Sequence, residues 1–75
     1  MTKTEAKQIK AELIYLGFHV EIESFTVFEP EKKEWHNVKA STTHASIFFV
    51  SLEEAKGFIR GVEYTIQNLA KPQLF

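Results

Sequence analysis

Residues 45–55, Ala45-Ser46-Ile47-Phe48-Phe49-Val50-Ser51-Leu52-Glu53-Glu54-Ala55, change their hydrophobic period midway, and the fold turns on that change. Up to Val50 the run is almost continuously apolar, the pattern of a strand buried on both faces or set centrally in a sheet. From there on, Leu52, Ala55, Ile59, Val62, Ile66 and Leu69 recur three and four residues apart, on one stripe of a helix. Ser51 and Glu54 have the spacing of a capping box between the two patterns. A strand over 44–50 and a helix over 52–70 are therefore expected. Pro72 ends the helix and leaves Gln73-Leu74-Phe75 as a short tail.

Upstream of this step the chain reads as a hairpin. Glu29-Pro30-Glu31-Lys32-Lys33 is turn chemistry, because proline is preset for the second turn position. It separates strands over about 18–28 and 34–41. In the first of these, Phe18, Val20 and Ile22 alternate with His19, Glu21 and Glu23, and then Phe25 and Val27 take the parity of the polar set. A one-residue slip reverses every later side chain, so a bulge or break is expected near Ser24. With residues 30–33 as the loop, Phe28 faces Trp35 as a cross-strand aromatic pair, and Phe25, Val27, His36 and Val38 share the other face. Thr42-Thr43-His44 shows no strong turn chemistry, but the next connection must fall there.

At the start, Ala6, Ile9, Leu13 and Leu16 lie on one stripe of a helix over 4–16. Thr2 with Glu5 matches a capping box, and Gly17 can end the helix in the left-handed conformation, with Phe18 packing back on Leu13. The order is α-β-β-β-α, an α+β domain spanning residues 1–75. Its three-stranded antiparallel sheet carries two helices on one face and leaves the other open.

Composition narrows the function. With no Cys, disulfide frameworks and Cys-based zinc sites are excluded. A chain 44% hydrophobic with net charge −1 is not of the disordered class. No apolar run approaches the roughly 18 residues of a membrane span, and Met1-Thr2-Lys3 leads into a charged segment. A cytoplasmic protein with no membrane association is expected. At 75 residues its core is marginal, and the ten aromatics can offset that by burying large rings or by supporting a dimer.

Catalytic patterns are missing. There is no Asp, no Cys and no Ser in a glycine-rich elbow. His19, Glu21 and Glu23 alternate on one strand face, and His36 and His44 lie on later strands, but period-two spacing spreads such residues too far to converge on one ion. No enzyme activity, cofactor or metal is expected.

The element order resembles the double-stranded RNA-binding domain in topology alone. The step Ile47-Phe48-Phe49-Val50-Ser51-Leu52-Glu53-Glu54-Ala55 also looks like the strand-to-helix passage of the three-stranded modules of phage integrases. Either resemblance would imply binding of phosphate backbones through basic residues. This chain instead carries Glu53 and Glu54 at the start of the last helix. Residues 18–50 hold five Glu against three Lys, and the chain has one Arg, Arg60. Membership of neither family follows, and nucleic acid is the alternative partner rather than the expected one.

Protein interaction is the expectation that remains, with a homodimer through the open face or the hairpin as one form. A chain this small would suit an accessory or inhibitor protein of a phage or mobile element. The candidate contact residues are Phe28 and Trp35 at the hairpin, Tyr64 opposite the buried stripe of the last helix, and Gly57 and Gly61. Each of these glycines costs about 1 kcal/mol relative to Ala inside a helix. With Asn68 they form a small-residue stripe, and the simplest account is close approach by the first helix.

Overall fold

The structure, a computed structural model, describes residues 1–70 and has the expected α-β-β-β-α order. Helix α1 is Lys3–Tyr15, strand β1 His19–Val27, β2 Lys33–Ser41, β3 Ser46–Phe49, and helix α2 Leu52–Ala70. The side chain of Leu69, the stop at Lys71-Pro72 and the tail Gln73-Leu74-Phe75 lie outside the described residues.

Local chemistry sets the ends of α1. The Thr2 N–H donates to Glu5 Oε1 at 2.9 Å and the Glu5 N–H donates to Thr2 Oγ1 at 3.2 Å, which completes the capping box. The bond from the Thr2 N–H, and after it the Thr2 side chain, hold the Glu5 carboxyl below its usual pKa. At the other end Gly17 takes φ +98°, while its N–H donates to Ile14 O and the Phe18 N–H donates to Leu13 O, both at 3.0 Å. That pair of bonds is a Schellman stop, and it turns the chain straight into β1.

The sheet is antiparallel in the order β1-β2-β3. Its register corrects three expectations. Pairing runs without interruption from His19↔Ser41 to Val27↔Lys33, so there is no bulge at Ser24. Phe25, not Phe28, lies opposite Trp35, and Val38 lies opposite Ile22. Phe28 falls in the loop and is exposed. The register is set where burial is strongest: Val20 and Ile22 stand opposite Ala40 and Val38 beneath the helices, and a slip there would expose all four. The apparent phase change at Phe25 has another cause. Phe25 and Val27 stay on the solvent face of an unbroken strand.

The third correction concerns β3. It is an edge strand of four residues, not a central or doubly buried one, and of its apolar side chains only Phe49 is buried. The central strand is β2. Between them Thr42 supplies turn chemistry after all. Its Oγ1 accepts from the N–H groups of His44 and Ala45 at 3.3 and 3.2 Å, and its own N–H donates to Ala45 O at 2.8 Å.

The core joins Ala6, Ile9 and Leu13 of α1 to Val20, Val38, Ala40 and Phe49 of the sheet, and to Ala55 and Ile59 of α2. Phe58 seals one side, its ring centroid 5.6 Å from Phe18 and 5.3 Å from Phe49. Met1, which no hydrophobic pattern singles out, is also buried. Its amino group donates to His36 O and the His36 N–H donates to Met1 O, both at 3.0 Å, where β3 no longer pairs with β2. Burial lowers the pKa of that amino group. Ser51 caps α2 by accepting the Glu54 N–H on Oγ at 3.2 Å.

Candidate interaction surface

Alternation along the paired strands divides the side chains between two faces. Val20, Ile22, Ser24, His36, Val38, Ala40 and Phe49 face the helices. The other face carries His19, Glu21, Glu23, Phe25 and Val27 from β1, Lys33, Trp35, Asn37, Lys39 and Ser41 from β2, and Phe48 from β3. Phe25, Val27 and Phe48 are each more than two-fifths exposed, and Trp35 is half-buried.

Two features shape this open face. Lys33 Nζ sits 5.2 Å from the centroid of the Trp35 ring, a cation–π contact. Beside it, Val27, Glu29, Pro30, Glu31, Lys33 and Trp35 line a cleft of about 340 Å³. Further along, Asn37 is nine-tenths buried and its Oδ1 has no hydrogen-bond donor. A buried acceptor left this way is a cost that the isolated chain carries. On this face His19 Nε2 lies 3.7 Å from Glu21 Oε1.

The second exposed apolar region lies on α2. Burial along its stripe fades from Ala55 and Ile59, through half-buried Val62, to exposed Ile66. Phe58, Gly61, Val62, Thr65 and Ile66 line a groove of about 430 Å³. Tyr64 is exposed, as its place on the helix implies. The glycines depart from expectation. A Cβ at Gly57 or Gly61 would meet no atom within 4 Å, so neither residue serves an approach by α1.

The polar groups that could carry chemistry are scattered. His19 and Glu21 are on the open face, His36 is buried on the helix face, and His44 is in the Thr42 turn. Among the described residues no three metal-ligating side chains gather. His36 Nδ1 and Ser24 Oγ lie 2.6 Å apart. That separation would suit a nucleophile and base, but no carboxylate hydrogen-bonds to His36 among the described residues, so the third member that orients such a base is missing. The bond instead satisfies a buried imidazole where helix cover ends.

The fold and surface thus define a small α+β domain with an open, partly apolar sheet face. Compared with models of known protein families, with curated proteins and with solved structures, the chain matches none. No helix among the described residues is long and apolar enough to cross a membrane.

Proposed function

We propose that this chain is a non-catalytic protein-interaction module whose contact surface is the open face of the sheet with the hairpin tip. The observation that carries the reading is the exposure of Phe25, Val27 and Phe48 around half-buried Trp35, on a face that neither helix covers. An apolar patch of this kind, rimmed by charges and holding an aromatic anchor, is the usual anatomy of a protein contact. The face sets Glu21 and Glu23 against Lys33 and Lys39 and so presents no net positive field, which favours a protein over a phosphate backbone. An accessory or inhibitory role suits a module of this size.

The test is quantitative capture by the immobilised chain, with Phe25→Glu and Val27→Glu variants beside it. A partner retained by the wild type and lost from both variants supports the reading. Equal retention by all three overturns it.

A further inference from the structure

We propose that the occupant of the open face is the same face of a second copy, with β1 of each protomer lying over β2 of the other. The inference rests on reading that face as a protein contact and adds the identity of the partner. Opposite charges and aromatic rings at matching levels of the two strands point to a second copy. β1 presents Glu21, Glu23, Phe25 and Val27 in order along the strand. At matching heights, β2 presents Lys39, Asn37, Trp35 and Lys33. A two-fold axis parallel to the strands and between the sheets preserves height while exchanging β1 with β2. It therefore sets Glu21 over the partner's Lys39, Glu23 over the partner's Asn37, and Phe25 over the partner's Trp35. The opposite charges of Glu21 and Lys39 and the rings of Phe25 and Trp35 thus meet twice across the axis, while Glu23 faces neutral Asn37 and Val27 faces the partner's Lys33, and the face complements itself through the first two pairs.

Within one chain Glu21 lies 3.7 Å from the His19 imidazole and Lys33 lies over the Trp35 ring. Although Glu21 and Lys39 are cross-strand neighbours, no ion pair forms between them, and among the described residues neither Lys33, Lys39 nor Glu23 has an ion-pair partner. Sheets that pack face to face sit about 10 Å apart, with strands aligned to within about 30°, which long Glu and Lys side chains can span. The footprint is small. Strands of nine residues run about 30 Å, and two of them span roughly 10 Å, so the contact falls below the ~800 Å² per partner of a standard interface. A weak, transient dimer is the form expected.

The experiment is sedimentation equilibrium of the full chain over about 1 µM to 1 mM, with Glu21→Lys, Lys39→Glu and their equimolar mixture. The wild type should move from 8.7 kDa towards twice that mass. Each variant alone places two like-charge pairs across the axis and should dimerise about tenfold more weakly or worse. In the mixed dimer the two substituted side chains face each other with opposite charge, and the native Lys39 of one protomer faces the native Glu21 of the other. Mixing should therefore restore association to near the wild-type level. No effect within a single chain mimics that rescue. Phe25→Glu should abolish the dimer while leaving the circular dichroism spectrum unchanged. The proposal is overturned by a wild type that stays at 8.7 kDa throughout, by a mixture no better than its components, or by variants that all dimerise like the wild type, as they would through the α2 groove. A monomeric wild type that still captures a partner lost on Phe25→Glu would refute the second copy and leave the interaction module standing.

Discussion

Gly57 and Gly61 within α2 and Gly17 at the end of α1 make a paired test, because alanine should have opposite effects at the two places. Gly57 and Gly61 sit in a helix with open space where a Cβ would go. Replacing either by Ala removes the excess backbone entropy of glycine and adds no clash, worth up to about 1 kcal/mol each. Position decides how the gain appears. Gly57 lies between Ala55 and Ile59, which are anchored in the core, so its helical turn forms and melts with the whole domain. Gly61 lies beyond Ile59, where burial is fading, so part of its gain should appear as helix content rather than as global stability. Gly17 is also surrounded by open space, but at φ +98° an Ala side chain is strained, and about 1–2 kcal/mol should be lost. Unfolding entropy of about 2.1 cal/mol/K per residue over 75 residues gives about 0.16 kcal/mol/K, so 1 kcal/mol moves Tm by about 6 °C. Thermal and urea unfolding followed at 222 nm, at low micromolar concentration, should raise Tm by about 6 °C for Gly57→Ala. Gly61→Ala should gain less, with a larger folded-state signal, and Gly17→Ala should fall by about 6–12 °C. A Gly57→Ala or Gly61→Ala variant that is destabilised, more so at higher protein concentration, would mean that the stripe is packed against something in solution. The reading of α2 as an uncovered helix would then be wrong.

Three further outcomes follow from single contacts. Asn37→Leu removes a buried acceptor that has no donor and should raise stability by about 1 kcal/mol in chemical denaturation, whereas a loss of that size would show that the carboxamide is satisfied in solution. Leu13→Ala, at a fully buried position, should cost about 3–5 kcal/mol and leave a domain this small largely unfolded at 37 °C by circular dichroism, and a cooperative wild-type melt would refute the core assignment. Thr2→Ala should cost about 1 kcal/mol at pH 7. Because the folded-state pKa of Glu5 is lowered, its contribution is present above the ordinary glutamate value and is lost as the pH falls through the folded pKa. Alanine keeps the residue-2 N–H, the largest cause of the lowering, and loses only the share of the hydroxyl, so the variant should lose slightly less stability than the wild type over that acid window, and a steeper acid loss in the variant would contradict the capping assignment.

What the sequence made legible were the features written in local chemistry. Thr2 with Glu5, Gly17 and Ser51 fix helix ends by bonds made within a few residues, and the 3–4 spacing of α2 needs no knowledge of its neighbours. The hairpin register was not local. It depends on which apolar residues of β1 the helices cover, and the sequence pattern treats Val20 and Val27 alike although only Val20 is buried. The same blindness made β3 look central, because the run Ile47-Phe48-Phe49-Val50 does not reveal that β2 is shared by both neighbours. Met1 could not be found at all, since its burial comes from filling a ladder place beyond the end of a short β3. Of the candidate contact residues, Trp35 kept its prominence with a different aromatic partner, and Gly57 and Gly61 lost the internal explanation of close approach by α1.

Element lengths explain why two surfaces are left uncovered. Helix α1, at 13 residues, is about 20 Å long, and the nine-residue strands beneath it reach about 30 Å. About 10 Å of hairpin must therefore project beyond helix cover, and burial on the inner face stops at His36 and Ser24 accordingly. Helix α2 cannot supply the missing cover. It packs on α1 and on β3 through Ala55, Phe58 and Ile59, then continues past the core, and the molecule extends to 59 Å in length against 23 and 16 Å in width. A chain of 75 residues could have closed its core with shorter strands and a shorter last helix. Instead it extends apolar side chains on both, in a domain whose own burial leaves little stability to spare. The open face is the better candidate for completion from outside, because Glu21 and Phe25 of β1 stand level with Lys39 and Trp35 of β2. The groove on α2 offers apolar contact but no such pattern to choose a partner by.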